Sequence, residues 1–451
     1  MASTETEKVI SHVRRVLHRQ RLTNKRLLLA VSGGADSLAL AYVVSRAAGA
    51  HNCHAVTVDH GFRASSHDEA MHVRRCMGAL GVGHETRRLE WARMPGAARL
   101  EEEARMRRYA ALAEASRRHG LRAVLTGHHS GDQAETFLLR FLRHSGVYGL
   151  AGMREASELP VDSIPAVPLV RPLLGVSKQA LVRVCRDAGI SWREDASNSD
   201  VRFRRNALRK AISEAPRGSA IHAAGLLRVC QAMQVHREAV DRGVEGLLRR
   251  HVRFDQAVGV AVLDSPVDAY LGNAALAERL VGRLAAWVSG SEHPPELAHV
   301  RQLLRALSGA RPLATAGCLL LPATARHPLV LARQPPRHAE LPAVEGLPLG
   351  AVQLWDRRMR VEVRAAGGLA ATWGVVAFAD ALARWPKEMA GHRRGVGEHA
   401  CGPYAPAALA AAPVVCVDGR PVFALGRWID GCGLARGLEI TVRAARTPPA
   451  H

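Results

Sequence analysis

Leu27-Leu28-Leu29-Ala30-Val31-Ser32-Gly33-Gly34-Ala35-Asp36-Ser37 is the stretch that decides the fold. Its first five residues are an apolar run of strand length, and the apolar run Leu38 to Ala47 that follows reads as a helix. A strand, a glycine-rich turn and a helix start make a phosphate site. Glycines let the backbone approach a ligand closely. The N–H groups of the turn then face an anion, and the helix N-terminus adds partial positive charge. Ser32 and Ser37 supply hydroxyl donors. Asp36 would repel a phosphate, so its place in the turn makes sense if it holds a magnesium ion that bridges phosphates. The alternative is an ordinary Ser/Gly turn ahead of a helix cap.

The turn lacks a Gly-Lys-Ser/Thr ending and a Gly-x-Gly-x-x-Gly run, which excludes the common kinase-type phosphate loop and the dinucleotide fingerprint. The hexapeptide Ser32 to Ser37 resembles the pyrophosphate loop of the N-type ATP pyrophosphatases. That resemblance implies cleavage of ATP between its α- and β-phosphates, with AMP left on a carbonyl oxygen.

Outward from this turn, strand-like and helix-like runs alternate. Val9 to Arg19 reads as a basic amphipathic helix, Ala55 to Val58 as a strand and Asp68 to Leu80 as a helix. Glu85 to Leu89 reads as a strand, Arg99 to His119 as a charged helix, Ala123 to Thr126 as a strand and Asp132 to Arg143 as a helix. This alternation predicts an α/β fold, a doubly wound parallel sheet with ligands beyond the C-terminal strand ends. A helix over Ser177 to Ala188 and a polar loop over Asp195 to Asp200 follow. The first domain is expected to span residues 1–216, closing near Glu214 to Gly218. Helical patterns over Ile221 to Arg250, Ala274 to Val288 and Pro295 to Leu307 predict a helical middle domain, 217–312. Short apolar runs (Cys318 to Leu321, Leu329 to Ala332, Val361 to Val363, Val414 to Val417, Val422 to Ala424) predict a small α+β C-terminal domain, 313–451, with a hairpin at Asp418-Gly419.

Four further segments carry candidate chemistry. Asp59-His60-Gly61-Phe62-Arg63 ends the second strand, where a glycine permits close approach to a purine or ribose; a simple polar turn is the alternative. In Leu100 to Tyr109, Glu101 and Arg105 share a helix face. Arg105 is either half of a surface ion pair or a forked donor to a phosphate or base. In Thr126 to Thr136, His128, Asp132 and Glu135 fall at spacings of four and three around a helix start. They suit a second metal, a substrate ammonium or proton removal from an amine, and helix capping is the alternative. Arg202 to Lys210, which contains Arg205, is a dense basic segment that suits tRNA phosphates or the α-phosphate of ATP, or a solvated helix start.

The 451 residues carry 62 Lys and Arg against 41 Asp and Glu, a net charge of +21. That excess favours a polyanion partner, although Arg-rich composition alone would also raise it. The eight cysteines form no C-x-x-C pair, which argues against zinc knuckles and iron–sulfur sites and for free thiols in a reducing compartment. The first residues lack the apolar core of a signal peptide and no run of 18 uncharged apolar residues occurs, so a cytoplasmic protein without membrane contact is expected.

Taken in order, Ser32 to Ser37, Val58 to Arg63, Leu100 to Tyr109, His128 to Thr136, Gly149 to Met153, Arg171-Pro172-Leu173-Leu174 and Asp195 to Asn206 resemble the tRNA(Ile)-lysidine synthetase family. The resemblance covers roughly residues 20 to 215. It implies attachment of free L-lysine to the wobble cytidine of an isoleucine tRNA with a CAU anticodon, using ATP and Mg2+. By motif, Ser32, Gly33, Gly34, Ala35, Asp36 and Ser37 would bind the ATP phosphates, with Asp36 on magnesium. Asp59, His60 and Gly61 would face the nucleotide, and Arg105 would meet it or its developing charge. His128, Asp132 and Glu135 would line the reaction centre, and Arg205 would steady the adenylating phosphate or the tRNA. One departure is Arg143-His144-Ser145-Gly146, where the family has Arg-Gly-x-Gly. Competing readings are a tRNA thiolase of the same fold, which would want cysteines in pairs or near the loops, an amidating relative, and a non-catalytic RNA-binding protein on a degenerate nucleotide fold. Oligomeric state stays open.

Overall fold

The structure, a computed structural model, describes residues 4–61, 66–91, 97–161, 166–193, 208, 211, 212, 214, 222–256, 258–264, 272–291, 293–323, 329–334, 343–355, 359–365, 371–377, 381, 412–418, 420–424, 427, 428 and 438–444. The segments read above as Asp195 to Asp200 and Arg202 to Arg205, together with Phe62, Arg63, Cys401, Gly419 and Cys432, lie outside these residues. The chain divides into two compact units, Met1–Arg237 and Glu238–His451.

The first unit is built on one six-stranded sheet. Its strands are β1 (Leu27–Ala30), β2 (Cys53–Asp59), β3 (Gly83–Arg88), β4 (Ala123–Leu125), β5 (Ala156–Glu158) and β6 (Pro168–Val170). They lie in the order β3-β2-β1-β4-β6-β5, with every pairing parallel except the antiparallel β5 on β6. The order reverses between β1 and β4, the switch point where doubly wound sheets bind ligands. The α/β expectation is met.

Both sheet faces are covered, which is why β1 reads as an unbroken run of leucines. Leu27 and Leu29 pack with α1 (Thr4–Arg19), α2 (Ala35–Ala48), α3 (Ser66–Ala79) and α7 (Lys178–Asp187) on one face. Leu28, Val56 and Val124 pack on the other face against Tyr109, Leu112 and Ala113 of α4 (Ala97–Arg118). Two short helices, α5 (Ser130–Phe141) and α6 (Val147–Leu150), follow β4.

In α8 (Ala223–His251), Leu226 and Cys230 pack on Phe137 and Leu138 of α5. The second unit holds α9 (Ala274–Ser289), α10 (Leu297–Leu307) and three sheets. The first sheet runs β7 (Val252–Asp255), β8 (Val260–Leu263), β11 (Leu329–Arg333), β10 (Cys318–Leu321) and β9 (Leu313–Thr315), all antiparallel. Thus β7 and β8, which lie between two helical stretches of the span 217–312 expected to be a helical domain, share a sheet with strands from residue 313 onward. The second sheet contains β12 (Val344–Pro348), β15 (Thr372–Ala377), β16 (Pro413–Val417), β17 (Arg420–Ala424) and β18 (Arg427–Trp428). The third contains β13 (Val352–Trp355), β14 (Met359–Ala365) and β19 (Leu438–Ala444). Trp355, Val361 and Val363 pack with Trp373, Val375 and Val415 in the core between these two sheets. The β16–β17 pairing realises the expected hairpin.

The six described cysteines are free, and all except Cys76 are buried. Among the described residues no helix is long and apolar enough to cross a membrane.

Candidate active site

The turn after β1 holds itself open from within. The Ser37 hydroxyl donates to the Gly34 carbonyl at 2.9 Å, lies 3.2 Å from the Ser32 hydroxyl and accepts the Ser32 backbone N–H at 3.1 Å. Gly33 turns the chain at a φ of +88°, in the region that favours glycine. Gly34 caps α2 without a side-chain hydrogen bond. An uncapped helix start with a glycine backbone is the anion site the sequence implies.

The turn after β4 comes against this loop. A Cβ on Gly127 would stand 2.9 Å from the Asp36 carbonyl oxygen and 3.2 Å from the Ser37 nitrogen, so only glycine fits. The backbone at Gly127 thereby lies against the start of α2. His129 N-caps α5, its Nδ1 accepting from the Gly131 N–H at 2.9 Å, while Asp132 Oδ2 accepts the His129 N–H at 2.9 Å. Asp132 therefore caps its own helix from the third position, the bland role considered for it. Its carboxylate remains close to the site, since His129 Nε2 lies 3.7 Å from Asp36 and 3.8 Å from Asp132. Glu135, three residues on, is buried.

The imidazole bridging the two carboxylates is therefore that of His129. His128 turns instead to Thr126, its Nδ1 2.8 Å from the Thr126 hydroxyl. Burial pushes the His128 pKa down to about 4, against the pull of Asp132, with Arg171, Arg108 and Arg105 adding to the downward push. At neutral pH this ring is uncharged. Arg105 is exposed and lies over the Tyr109 ring at 5.7 Å.

Asp36 carries an unforeseen partner. Lys178 Nζ lies 2.7 and 2.6 Å from its two carboxylate oxygens. Lys178 opens α7, where the helix dipole disfavours a cation, and Ser177 caps that turn by accepting the Ala180 N–H. A lysine placed against the dipole is a signal the sequence offered and composition-level reading passes over. Cys185 of α7 donates to the Ala35 carbonyl at 3.3 Å, so one buried cysteine lies beside the phosphate loop. Burial, with Asp36 second, pushes its thiol up to about 11, so it stays protonated and inert.

At the end of β2, Asp59 Oδ1 accepts the Gly61 N–H at 2.8 Å, and Gly61 has a φ of +71°. The Trp91 indole donates to the His60 carbonyl at 2.8 Å. Burial and Arg108 lower the His60 pKa, against Asp59. This turn sits on the strand next to β1, with the Asp59 carboxylate engaged by Gly61 and the His60 carbonyl by Trp91. Arg205 lies outside the described residues.

Magnesium binds through one or two carboxylates together with substrate phosphates. Asp36 fits that demand. It is a partly exposed carboxylate of the loop, and its partner Lys178 is itself about half exposed.

The family profile described as PP-loop domain matches residues 5–215. The chain is 37% identical over 337 residues to a tRNA(Ile)-lysidine synthase of Ruegeria pomeroyi, covering 74% of this chain and 76% of the relative. A tRNA(Ile)-lysidine synthase of Novosphingobium aromaticivorans is 43% identical over 46% of this chain and 64% of its own length, which is under two thirds of it. A tRNA(Ile)-lysidine synthase of Methylobacterium nodulans is 34% identical over 69% of this chain and 91% of the relative.

Proposed function

The chain belongs to the tRNA(Ile)-lysidine synthase family, and we propose that it is an ATP-dependent ligase joining lysine to C2 of the wobble cytidine of an isoleucine tRNA with a CAU anticodon. The observation that carries the proposal is the junction at the sheet's switch point, where the uncapped phosphate turn, Asp36 and the His129–Asp132 cap meet.

In this reading Ser32 to Ser37 hold the phosphates of ATP through backbone N–H groups and hydroxyls. Asp36 would hold magnesium, which would supply positive charge to offset that of the pyrophosphate leaving group. Lys178 then leaves Asp36 for a phosphate oxygen, exchanging one anion for another. The cytosine C2 oxygen bonds to the α-phosphorus and the bond from that phosphorus to pyrophosphate breaks. Arg105 and Arg205 offset charge that builds on the phosphate. The lysine amine next bonds to C2 and the C2–oxygen bond breaks, releasing AMP. The amine must be neutral to attack. Asp132 and Glu135 receive its ammonium form and pass the proton to solvent, while the uncharged His128 lines the site beside them. Asp59, His60 and Gly61 border the nucleotide.

The three-part division at 216 and 312 is kept as a proposal, with residues 217–451 gripping tRNA through basic side chains; the net charge of +21 supports it. The free cysteines support a cytoplasmic setting. The test is mass analysis of an anticodon fragment after incubation with ATP and labelled lysine. A mass gain of one lysine less one water at the wobble cytidine is expected. Pyrophosphate release that ignores lysine would point to another second substrate.

A further inference from the structure

At the other end of the sheet from the phosphate loop, three potential metal ligands stand together. His54 is the second residue of β2, Glu85 lies on β3, and His119 directly follows α4. One ligand atom from each lies within 4.8 Å of the other two. The active-site end of β2, at Asp59, is five residues on, roughly 16 Å along a strand.

The sheet register explains the convergence. His54 pairs with Gly83 in the parallel ladder, so Gly83 and Glu85 share its face. Gly83 carries no side chain, and a Cβ there would stand 3.0 Å from His54 Nδ1. The His54 ring takes that space and lies 4.3 Å, centroid to centroid, from the His119 ring. His119 Nε2 is 3.3 Å from Glu85 Oε2. The other oxygen, Oε1, faces Arg87 Nε at 3.4 Å and Arg118 Nη2 at 3.7 Å, which fixes the carboxylate's orientation. His54 Nε2 is buried with no hydrogen-bond partner, an arrangement that costs free energy unless something else occupies that nitrogen.

We propose that His54, Glu85 and His119 bind one zinc ion. Two imidazoles and one carboxylate are a zinc donor set, whereas magnesium and calcium prefer oxygen alone. Zinc bonds of about 2.0–2.2 Å bring donors to roughly 3.3 Å apart, so the ligands close by an ångström or so through side-chain rotation. Three protein ligands leave a fourth position for water. The ion ties the end of α4 to the β2–β3 edge and adds its binding free energy to folding of the first unit. Thr57 holds His84, on the opposite face, at 2.9 Å and keeps it out of the site.

The experiment uses the full chain, stripped of metal by chelator and dialysed. Zinc affinity is measured by competition with a chromophoric chelator, and cobalt is added separately to read coordination from its visible bands. The parent protein is expected to take one zinc, show bands of four- or five-coordinate cobalt, and gain about 5 °C in melting midpoint at zinc a hundredfold above Kd. His119→Gln, at the exposed end of a helix, keeps the fold and is expected to weaken zinc at least about tenfold and lose the bands. Glu85→Gln is the second variant, should His119→Gln fail to fold. A parent protein without cobalt bands overturns the site, and so does zinc affinity equal in parent and variants.

Discussion

Lys178 and Asp36 form a two-pronged ion pair, Nζ lying 2.6 and 2.7 Å from the carboxylate oxygens, across 142 residues of chain. The lysine side chain is 47% exposed and the aspartate 30%, so solvent screens the pair and its worth to folding is about 1 kcal/mol or less. Lys178→Ala is therefore expected to melt within a few degrees of the parent. Pyrophosphate release should still fall at least about tenfold, since the cation proposed to pass from Asp36 to a phosphate oxygen is lost. Asp36→Ala should abolish release. A Lys178→Ala protein with parental turnover would reduce the pair to surface decoration.

Gly127 lets two loops share a backbone contact. In Gly127→Ala the new methyl would meet the Asp36 carbonyl at 2.9 Å, and the atom it strikes is main chain that cannot rotate away. Either the phosphate turn or the His129 turn must shift. We expect a stability loss of about 1–3 kcal/mol and a fall in kcat/KM for ATP of roughly a hundredfold. Denaturant unfolding and steady-state pyrophosphate release on the same protein check both numbers. Parental ATP kinetics would show that the contact does not position the loop.

The strands that could be read from the chain are those buried on both faces, such as Leu27–Ala30, whose apolar run has no polar interruption. The edge strand Gly83–Arg88 has a mostly polar sequence and is legible only in part, because it is a sheet edge and half exposed. Ala156–Glu158 and Pro168–Val170 are three residues each, too short for a period to show. Val252–Asp255 follows α8 without a glycine or proline, so nothing local announces the change from helix to strand. At the site, motif spacing led to Asp36, His128 and Asp132. It missed His129, because the two adjacent histidines are distinguished only by which one caps α5. It missed Lys178 because 142 residues separate it from its partner.

His144 stands where the family has glycine, and the structure gives it a φ of +54°. The end of α5 is a Schellman turn, with the Ser145 N–H on the Arg140 carbonyl at 3.0 Å and the His144 N–H on the Phe141 carbonyl at 2.9 Å. The departure thus keeps the turn and places a side-chain residue in a left-handed conformation. His144→Gly should stabilise the protein by about 0.5–1 kcal/mol, less whatever glycine adds to unfolded-state entropy. Chemical denaturation with an unchanged m-value checks it. A destabilised variant would mean that the imidazole makes a compensating contact.

His128 supplies a pH dependence with a defined sign. Its pKa falls from 6.5 to about 4 on folding, chiefly through burial. Between those values the unfolded chain binds a proton that the folded chain does not, so stability falls as pH drops through this window and the penalty is absent above it. At pH 5 the loss from this one group is about 2 kcal/mol relative to pH 7. Burial also lowers the pKa of His12, His54, His60 and His84, so the parent's acid sensitivity is shared. The difference between parent and His128→Gln isolates the contribution. The variant should lose roughly 2 kcal/mol less than the parent between pH 7 and pH 5, read from denaturant midpoints at both values. Equal losses would mean that His128 is solvated and titrates near 6.5, and its assignment as an uncharged wall of the reaction centre would go with it.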